Sequence, residues 1–584
     1  MIRIFITSLA LVVSALAAPV QLVDEAPVSI KRINSNIILV DFGRVSFGNI
    51  QLTPPVDMSG TVTVHFGEDF KNGRINRLPL GTVRYAIAEA RFNGTDKITV
   101  APPADERNTQ NDRPNTPPAV RTPPECGVVL PFRWLEIEGW QGEMLPQSII
   151  RKSAFASTWD DASASFESSD EMLNRIWELC RYSIKATTFA GVYVDGDRER
   201  IPYEADAYLN QLSHYFTDRD IAMARDTFDH LMKHPTWPTE WAFHMIFMAH
   251  ADYMHTGDVE WLASRYESLK PKLLLERARA DGLLVSNAAQ VKKNDIVDWP
   301  QGERDGYKHK PVNTVVNAFH IRSLQMMADL AKAAGKGGEA AKYASMAAKA
   351  HQSFQKVLFV PGKGAYRDGH GTEHMSQHAS LFPLAFGLVP VEYQGAVVDH
   401  VQKRGMACSV YAAQYLMDGL FSCGAGNRAL ELIAAPTDRS WRHMVDSGAT
   451  ITWEAWDHKY KPNQDWNHAW GAAPANLLPR YVLGAQAVEP GWKQARIRPT
   501  PGNLEYAKGK IPTPLGIIDV AWENKTSFQM KIEFPPGMTA KLEVPASTNS
   551  KGVKINGEAV TAKRNGTHWH VHQTVSGSVN VVAD

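Results

Sequence analysis

Cysteine is scarce in this chain: four in 584 residues, at positions 126, 180, 408 and 423, with no CxxC pair and no metal-ligand spacing. A disulfide framework and a thiolate zinc site are thereby excluded as organising devices. Only a bridge between Cys408 and Cys423 stays open, for an exported chain. Net charge is missing too, since 62 Lys and Arg balance 62 Asp and Glu. Nucleic-acid binding needs a basic surface, so that class drops out. There is no GxGxxG, P-loop or HExxH motif, hence no expected nucleotide, metal or other cofactor. GxSxG is absent as well, which removes support for serine hydrolysis. His568, His570 and His572 alternate in THWHVH, but a polar outer strand face is a better reading of them than a metal clasp. Long apolar runs occur only at the very start, where Arg3 precedes a short apolar stretch and Ala15-Leu16-Ala17. That is the form of a cleaved secretion signal over residues 1–17, too short to span a bilayer. The expectation is a secreted or periplasmic protein without a membrane span.

What is present is length, balanced composition and tryptophan. A chain of 584 residues is too long for one core, and 44% hydrophobic with 21% charged residues is ordinary for a globular protein. Residues 18–160 alternate apolar and polar positions with Gly and Asp breaks, as in Ile37–Leu52, which predicts an antiparallel β-sandwich. Inside it, the Pro-rich stretch 101–125 reads as a long surface loop. Residues 161–488 turn helical: Leu173, Ile176, Trp177, Cys180 and Ile184 share one face behind a Ser/Asp cap, and about a dozen such runs follow. A dozen helices over this length fit six hairpins closed into an (α/α)6 toroid with a central pocket. No short repeat argues for an open solenoid. Residues 489–584 return to strands and predict a second antiparallel β-sandwich. Sixteen Trp in such a chain raise the prospect of ring stacking on sugars, although most Trp simply fill core.

Two acidic clusters carry the chemistry. The first, residues 194–216, holds Asp195, Asp197, Arg198, Glu199, Arg200, Glu204 and Asp206, framed by Gly196 and Pro202. Gly and Pro imply a loop entering a helix near Glu204, and a loop can aim several carboxylates at one point. Arg198 and Arg200 are the expected charge partners. The second, residues 450–484, sets Glu454 between Trp453 and Trp456, with Asn467-His468 following. A third, turn-rich segment carries Asp298-Trp299. Paired carboxylates from distant parts of one helical domain point to glycoside hydrolysis, where one acid protonates the leaving oxygen and the other works ionised.

At these residues the chain resembles glycoside hydrolase family 78, the α-L-rhamnosidases. The run DGDRERIPYEAD is similar to the family's Arg-Asp-Glu-Arg-Leu-Gly-Trp-x-Gly-Asp stretch, and the second cluster looks like its Trp-Glu-x-Trp followed by Asn-His-x-x-x-Gly. The resemblance covers nearly the whole chain after the leader. It implies an inverting enzyme with Glu199 as general acid and Glu454 as general base; the alternatives are an (α/α)6 hydrolase for another deoxy or uronic sugar and a non-catalytic glycan-binding relative. It also implies a carbohydrate partner held by Asp195, Arg198, Tyr203, Asp206, Trp241, Trp299, Trp456 and His468. The sequence departs from the pattern in five ways: Gly196-Asp197 replaces the family's Cys-Pro, the loop is a residue shorter, Tyr203 stands in place of Trp, Glu204 adds a carboxylate that competes with Glu199 for the role of acid, and the acidic residue that often follows the Trp resembled by Trp241 is missing.

Overall fold

The computed structural model describes residues 19–55, 58–94, 96–109, 117–547 and 550–583. The leader-like residues 1–17 lie outside this set. The chain builds an N-terminal sheet region, a helical middle and a C-terminal pair of sheets.

In the N-terminal region the 16-residue strand Ile37–Leu52 is the hub. It pairs antiparallel with Leu130–Glu138 and Ile149–Ala156, and shorter strands join it on either side. Its inward alternation with neighbouring strands packs Val40, Phe66, Phe132, Leu135 and Ile137 into a core of their own. The Pro-rich stretch departs from a free surface loop at Asn108. That side chain is buried and donates to the carbonyl of Asp197 at 2.8 Å, so the loop reaches the helical region.

The helical middle begins at Glu171–Ala186, where the Asp170 carboxylate caps the amides of Met172 and Leu173. The face read from the sequence (Leu173, Ile176, Trp177, Cys180, Ile184) is buried. Helices Glu204–His214, Thr239–Thr256, Thr314–Ala333, Gly337–Leu358, Gln377–Ala385 and Val410–Ser422 follow. Asn313, Ser376 and Ser409 cap three of them with side-chain oxygens. Thr239–Thr256 is apolar almost all round and buried, as a helix walled by others must be. Among the described residues no helix is long and apolar enough to cross a membrane.

The C-terminal sheets differ from the sequence reading in three places, one being Ala485–Ala487, a strand paired with Gln494–Ile497 rather than part of the helical domain. Ser165–Ser168, assigned above to the helical domain, pairs with Tyr506–Thr513 and so belongs to a C-terminal sheet. Gln494–Ile497 runs parallel to Thr539–Pro545 rather than antiparallel. The helical middle and these sheets share one continuous core, tied further by the Trp522 indole donating to the Val482 carbonyl at 2.9 Å.

All four cysteines are free. Cys408 and Cys423 flank the 13-residue helix Val410–Ser422, whose rise of about 20 Å puts them far beyond disulfide reach. Nor do the three alternating histidines form an outer face: His568 is buried, with Nε2 2.9 Å from the Pro499 carbonyl oxygen.

Candidate active site

The first acidic cluster forms a loop between the short turn Thr187–Ala190 and helix Glu204–His214. The loop closes on itself: Asp195 N–H donates to the Ile201 carbonyl, and Ile201 N–H donates to Asp195 Oδ1, each at 3.0 Å. Gly196 sits at φ +103°, where a Cβ would lie 2.7 Å from Asp465 Oδ2, so only glycine fits between the two clusters. The side chains then part company. Asp197 turns toward the N-terminal region, where Arg84 forms an ion pair with it, alongside Arg200 at 2.7 Å. Arg198 and Glu199 turn into a cavity of about 190 Å³.

The second cluster supplies the opposite wall mainly from residues 451–468, which carry no helix or strand. Glu454 N–H donates to the Asp465 carbonyl at 3.3 Å, and the Trp470 indole donates to the Glu454 carbonyl at 3.0 Å. The Glu454 carboxylate receives Arg198 in a bidentate grip, 2.7 Å to Oε2 and 3.2 Å to Oε1. Lys461 Nζ lies 3.1 Å from its Oε1. The same guanidinium lies 3.5 Å from Glu199 Oε1, and Tyr203 donates its hydroxyl to Glu199 Oε2 at 3.2 Å. Two carboxylates 255 positions apart in the chain thus meet on one arginine.

Burial and charge set the protonation states. Burial by itself would raise the Glu454 pKa, but Arg198, His468 and Lys461 outweigh it and hold the group below the usual glutamate range. Burial, and next the Glu199 carboxylate, push Asp195 well above its ordinary value. Asp206 is raised by burial, against the pull of His468. Burial alone would lower His468, yet its bonds to Asp206, 2.6 Å from Nε2, and to Asp465, 3.3 Å from Nδ1, lift it to about 10. A raised histidine stabilises the fold fully below its unfolded value near 6.5, and this contribution fades as pH rises through about 10. Ring-proton NMR should therefore show His468 as imidazolium throughout neutral pH, with Asp206→Asn bringing its titration down. A wild-type midpoint near 6.5 would refute the arrangement.

Of the sequence-derived residues, Asp195, Arg198, Glu199, Tyr203, Asp206, Trp241, Trp299, Glu454 and His468 line this one cavity. Trp456 does not. It is fully buried, its indole donates to the Cys408 carbonyl at 2.8 Å, and it packs edge-on against Trp441. Flanking Glu454 in sequence carries no direction in an irregular segment. The rival acid Glu204 is also elsewhere: its buried carboxylate accepts the Thr236 amide at 2.9 Å and the Thr236 hydroxyl. Asp298 serves structure, accepting from Ser409 N–H at 2.9 Å and pairing with His378 at 2.6 Å. Sequence reasoning missed Trp237, Ile296, Lys461, Asn463 and Trp470 in the wall. Lys461, Asn463 and Trp470 lie in the second cluster's own run, so adjacency was a usable signal; Trp237, between two prolines, was another.

Glu454, Asp465 and His468 bring potential ligand atoms within 4.8 Å of one another. The site does not suit a cation: Glu454 already faces Arg198 and Lys461, and both ring nitrogens of His468 already lie against the carboxylates of Asp206 and Asp465.

Residues 161–482 match the family model of the bacterial α-L-rhamnosidase 6 hairpin glycosidase domain, and residues 484–558 that of the bacterial α-L-rhamnosidase C-terminal domain. The chain belongs to the bacterial α-L-rhamnosidase family. It is 24% identical to an α-L-rhamnosidase of Alteromonas sp. (strain LOR), across 92% of this chain and 60% of that relative. Among solved structures, an α-L-rhamnosidase from Dictyoglumus thermophilum superposes with TM-score 0.79 at 19% identity, covering 96% of this chain and 63% of that one. A Streptomyces avermitilis α-L-rhamnosidase complexed with L-rhamnose gives TM-score 0.78 at 19% identity, over 97% and 54%. The chain thus spans less than two thirds of each of these relatives.

Proposed function

We propose that this protein hydrolyses terminal α-L-rhamnosides by single displacement. One observation carries the reading: Glu199 and Glu454 contact the same Arg198 guanidinium inside one cavity. Glu199 transfers its proton to the glycosidic oxygen as the C1–O bond breaks. A water on the other face of the sugar adds to C1 and yields its proton to Glu454, inverting the anomeric centre. Both carboxylates line one cavity, and inversion requires about 6.5–9.5 Å between them so that a water fits.

The wall chemistry favours a neutral deoxy sugar. Arg198, Lys461 and His468 are cationic, but each already faces a carboxylate, so none is left to select a uronic acid. Trp241, Trp299 and Ile296 supply apolar surface for a C6 methyl group, while Asp195, Asp206 and His468 offer partners to hydroxyls. Fourteen α-helical segments between Glu171 and Leu477, with sequence neighbours packed together, support six hairpins closed into a toroid. The two C-terminal sheets and the branched N-terminal sheet support the sandwich assignments, and the apolar leader supports export.

Proton NMR of the first product from a synthetic α-L-rhamnoside tests the reading. β-L-Rhamnose appearing before mutarotation is expected; α-L-rhamnose first would reject inversion, and no release would reject the activity.

A further inference from the structure

Among the described residues the strongly exposed large apolar side chains are aliphatic, apart from one: Trp237, at 47%. A single exposed hydrophobe is ordinary. Trp237 is not ordinary in its place or its mounting. It lines the same cavity as Glu199 and Glu454. Four residues on, Trp241 lines that cavity too but is only 7% exposed. One short segment therefore sets one indole within the pocket and a second at its mouth.

The mounting is costly, which is the second observation. Trp237 stands between Pro235 and Pro238, so the backbone on either side has little freedom to lose. The preceding Thr236 is held by its amide and its hydroxyl on the buried Glu204 carboxylate. The Trp237 carbonyl accepts from Asn294 Nδ2 at 2.8 Å, and the Asn294 carbonyl accepts the Thr239 amide at 2.8 Å. Burying a carboxylate demands compensation, and here burial raises the Glu204 pKa while Thr236 works to lower it. Nothing in the cavity uses Glu204. Its evident work is to fix a rim that carries an exposed tryptophan. A rigid aromatic face at a pocket mouth binds a flat partner without paying to order itself.

We propose that Trp237 is the platform for the leaving group, stacking on the face of a pyranose ring bonded to the sugar in the pocket, and that Glu204 and Thr236 are positioning residues for it. This rests on reading the cavity as a glycosidase pocket. The substrate class is then a saccharide in which the terminal sugar is attached to another ring, rather than to an acyclic alcohol. Asn463, exposed at the same cavity, supplies a polar partner for that ring's hydroxyls.

Two substrates with similar leaving alcohols separate the platform from general damage: an α-L-rhamnosyl glucoside and an α-L-rhamnosyl glycerol. Trp237→Ala should raise KM for the glucoside about tenfold, the scale of one lost ring stack, with kcat held and the glycerol substrate moved less than twofold. Trp237→Phe should keep most of the preference. Thr236→Ala should lose part of it and Thr236→Ser restore it, which a merely destabilised rim would not do. Equal KM rises on both substrates, or none, overturn the proposal. A fluorescence titration with methyl β-D-glucoside covers the remaining case. If neither rhamnoside is cleaved, a saturable wild-type signal lost in Trp237→Ala keeps the platform while the rhamnoside reading fails; no such signal ends the platform as well.

Discussion

Glu199→Gln should cost about 10³ in kcat/KM on an alkyl α-L-rhamnoside, mid-range for removal of a general acid. The loss should fall almost wholly on catalysis. The side chain is 27% exposed and its contacts are a hydroxyl from Tyr203 and the edge of Arg198, both of which an isosteric amide can meet. Thermal unfolding should therefore be unchanged. The leaving group provides the sharper check. An aryl leaving group needs little protonation, so the variant should retain far more activity on 4-nitrophenyl rhamnoside than on an alkyl rhamnoside. Equal losses on both would remove Glu199 from the acid role. Glu204→Gln separates the rival. It places an amide where two donors from Thr236 now converge, so it should destabilise the fold, by about 1–3 kcal/mol for a spoiled buried bond, without leaving-group dependence.

That Glu199 and not Glu204 lines the cavity shows what the sequence could and could not carry. Periodicity made the layout legible: strands, helices, strands, with the apolar face of Glu171–Ala186 read residue by residue. Charge density made both clusters legible. Direction was not, because residues 191–203 and 451–468 are irregular backbone, and there a side chain's aim depends on local closure rather than on spacing. Glu204 is the first residue of its helix, so its carboxylate leaves the loop and meets Thr236. Trp456 was misread for the same reason, since two residues beyond Glu454 the chain has turned into the core. Arg84 and Asn108 were invisible for a different reason: their partner Asp197 is about 90 to 110 positions away, in a different layer of the fold. Ser165–Ser168 was lost to the C-terminal sheet similarly, its partner strand lying more than 300 positions downstream. Local pattern does not reach that far.

Glu454→Gln should be nearly as damaging as loss of the acid, about 10³ in kcat/KM, but with a different signature. No leaving-group dependence is expected, because water attack and not leaving-group departure loses its helper. The pH profile follows from the charges. Arg198, His468 and Lys461 together hold Glu454 below the usual glutamate range despite its burial. A depressed carboxylate is ionised at neutral pH and stays so as pH falls, until its lowered folded pKa is reached. The acid limb of kcat/KM should thus lie below pH 4.3, the ordinary glutamate midpoint being about that value. The same linkage makes Glu454 a source of stability above the unfolded value that is lost as pH falls through the folded one. Lys461→Met removes one of the three cations and leaves Arg198 in place. The acid limb should then move upward while the alkaline side of the profile stays put. An unmoved acid limb in Lys461→Met would mean that protonation of Glu454 does not govern it, and the base assignment would fall with it.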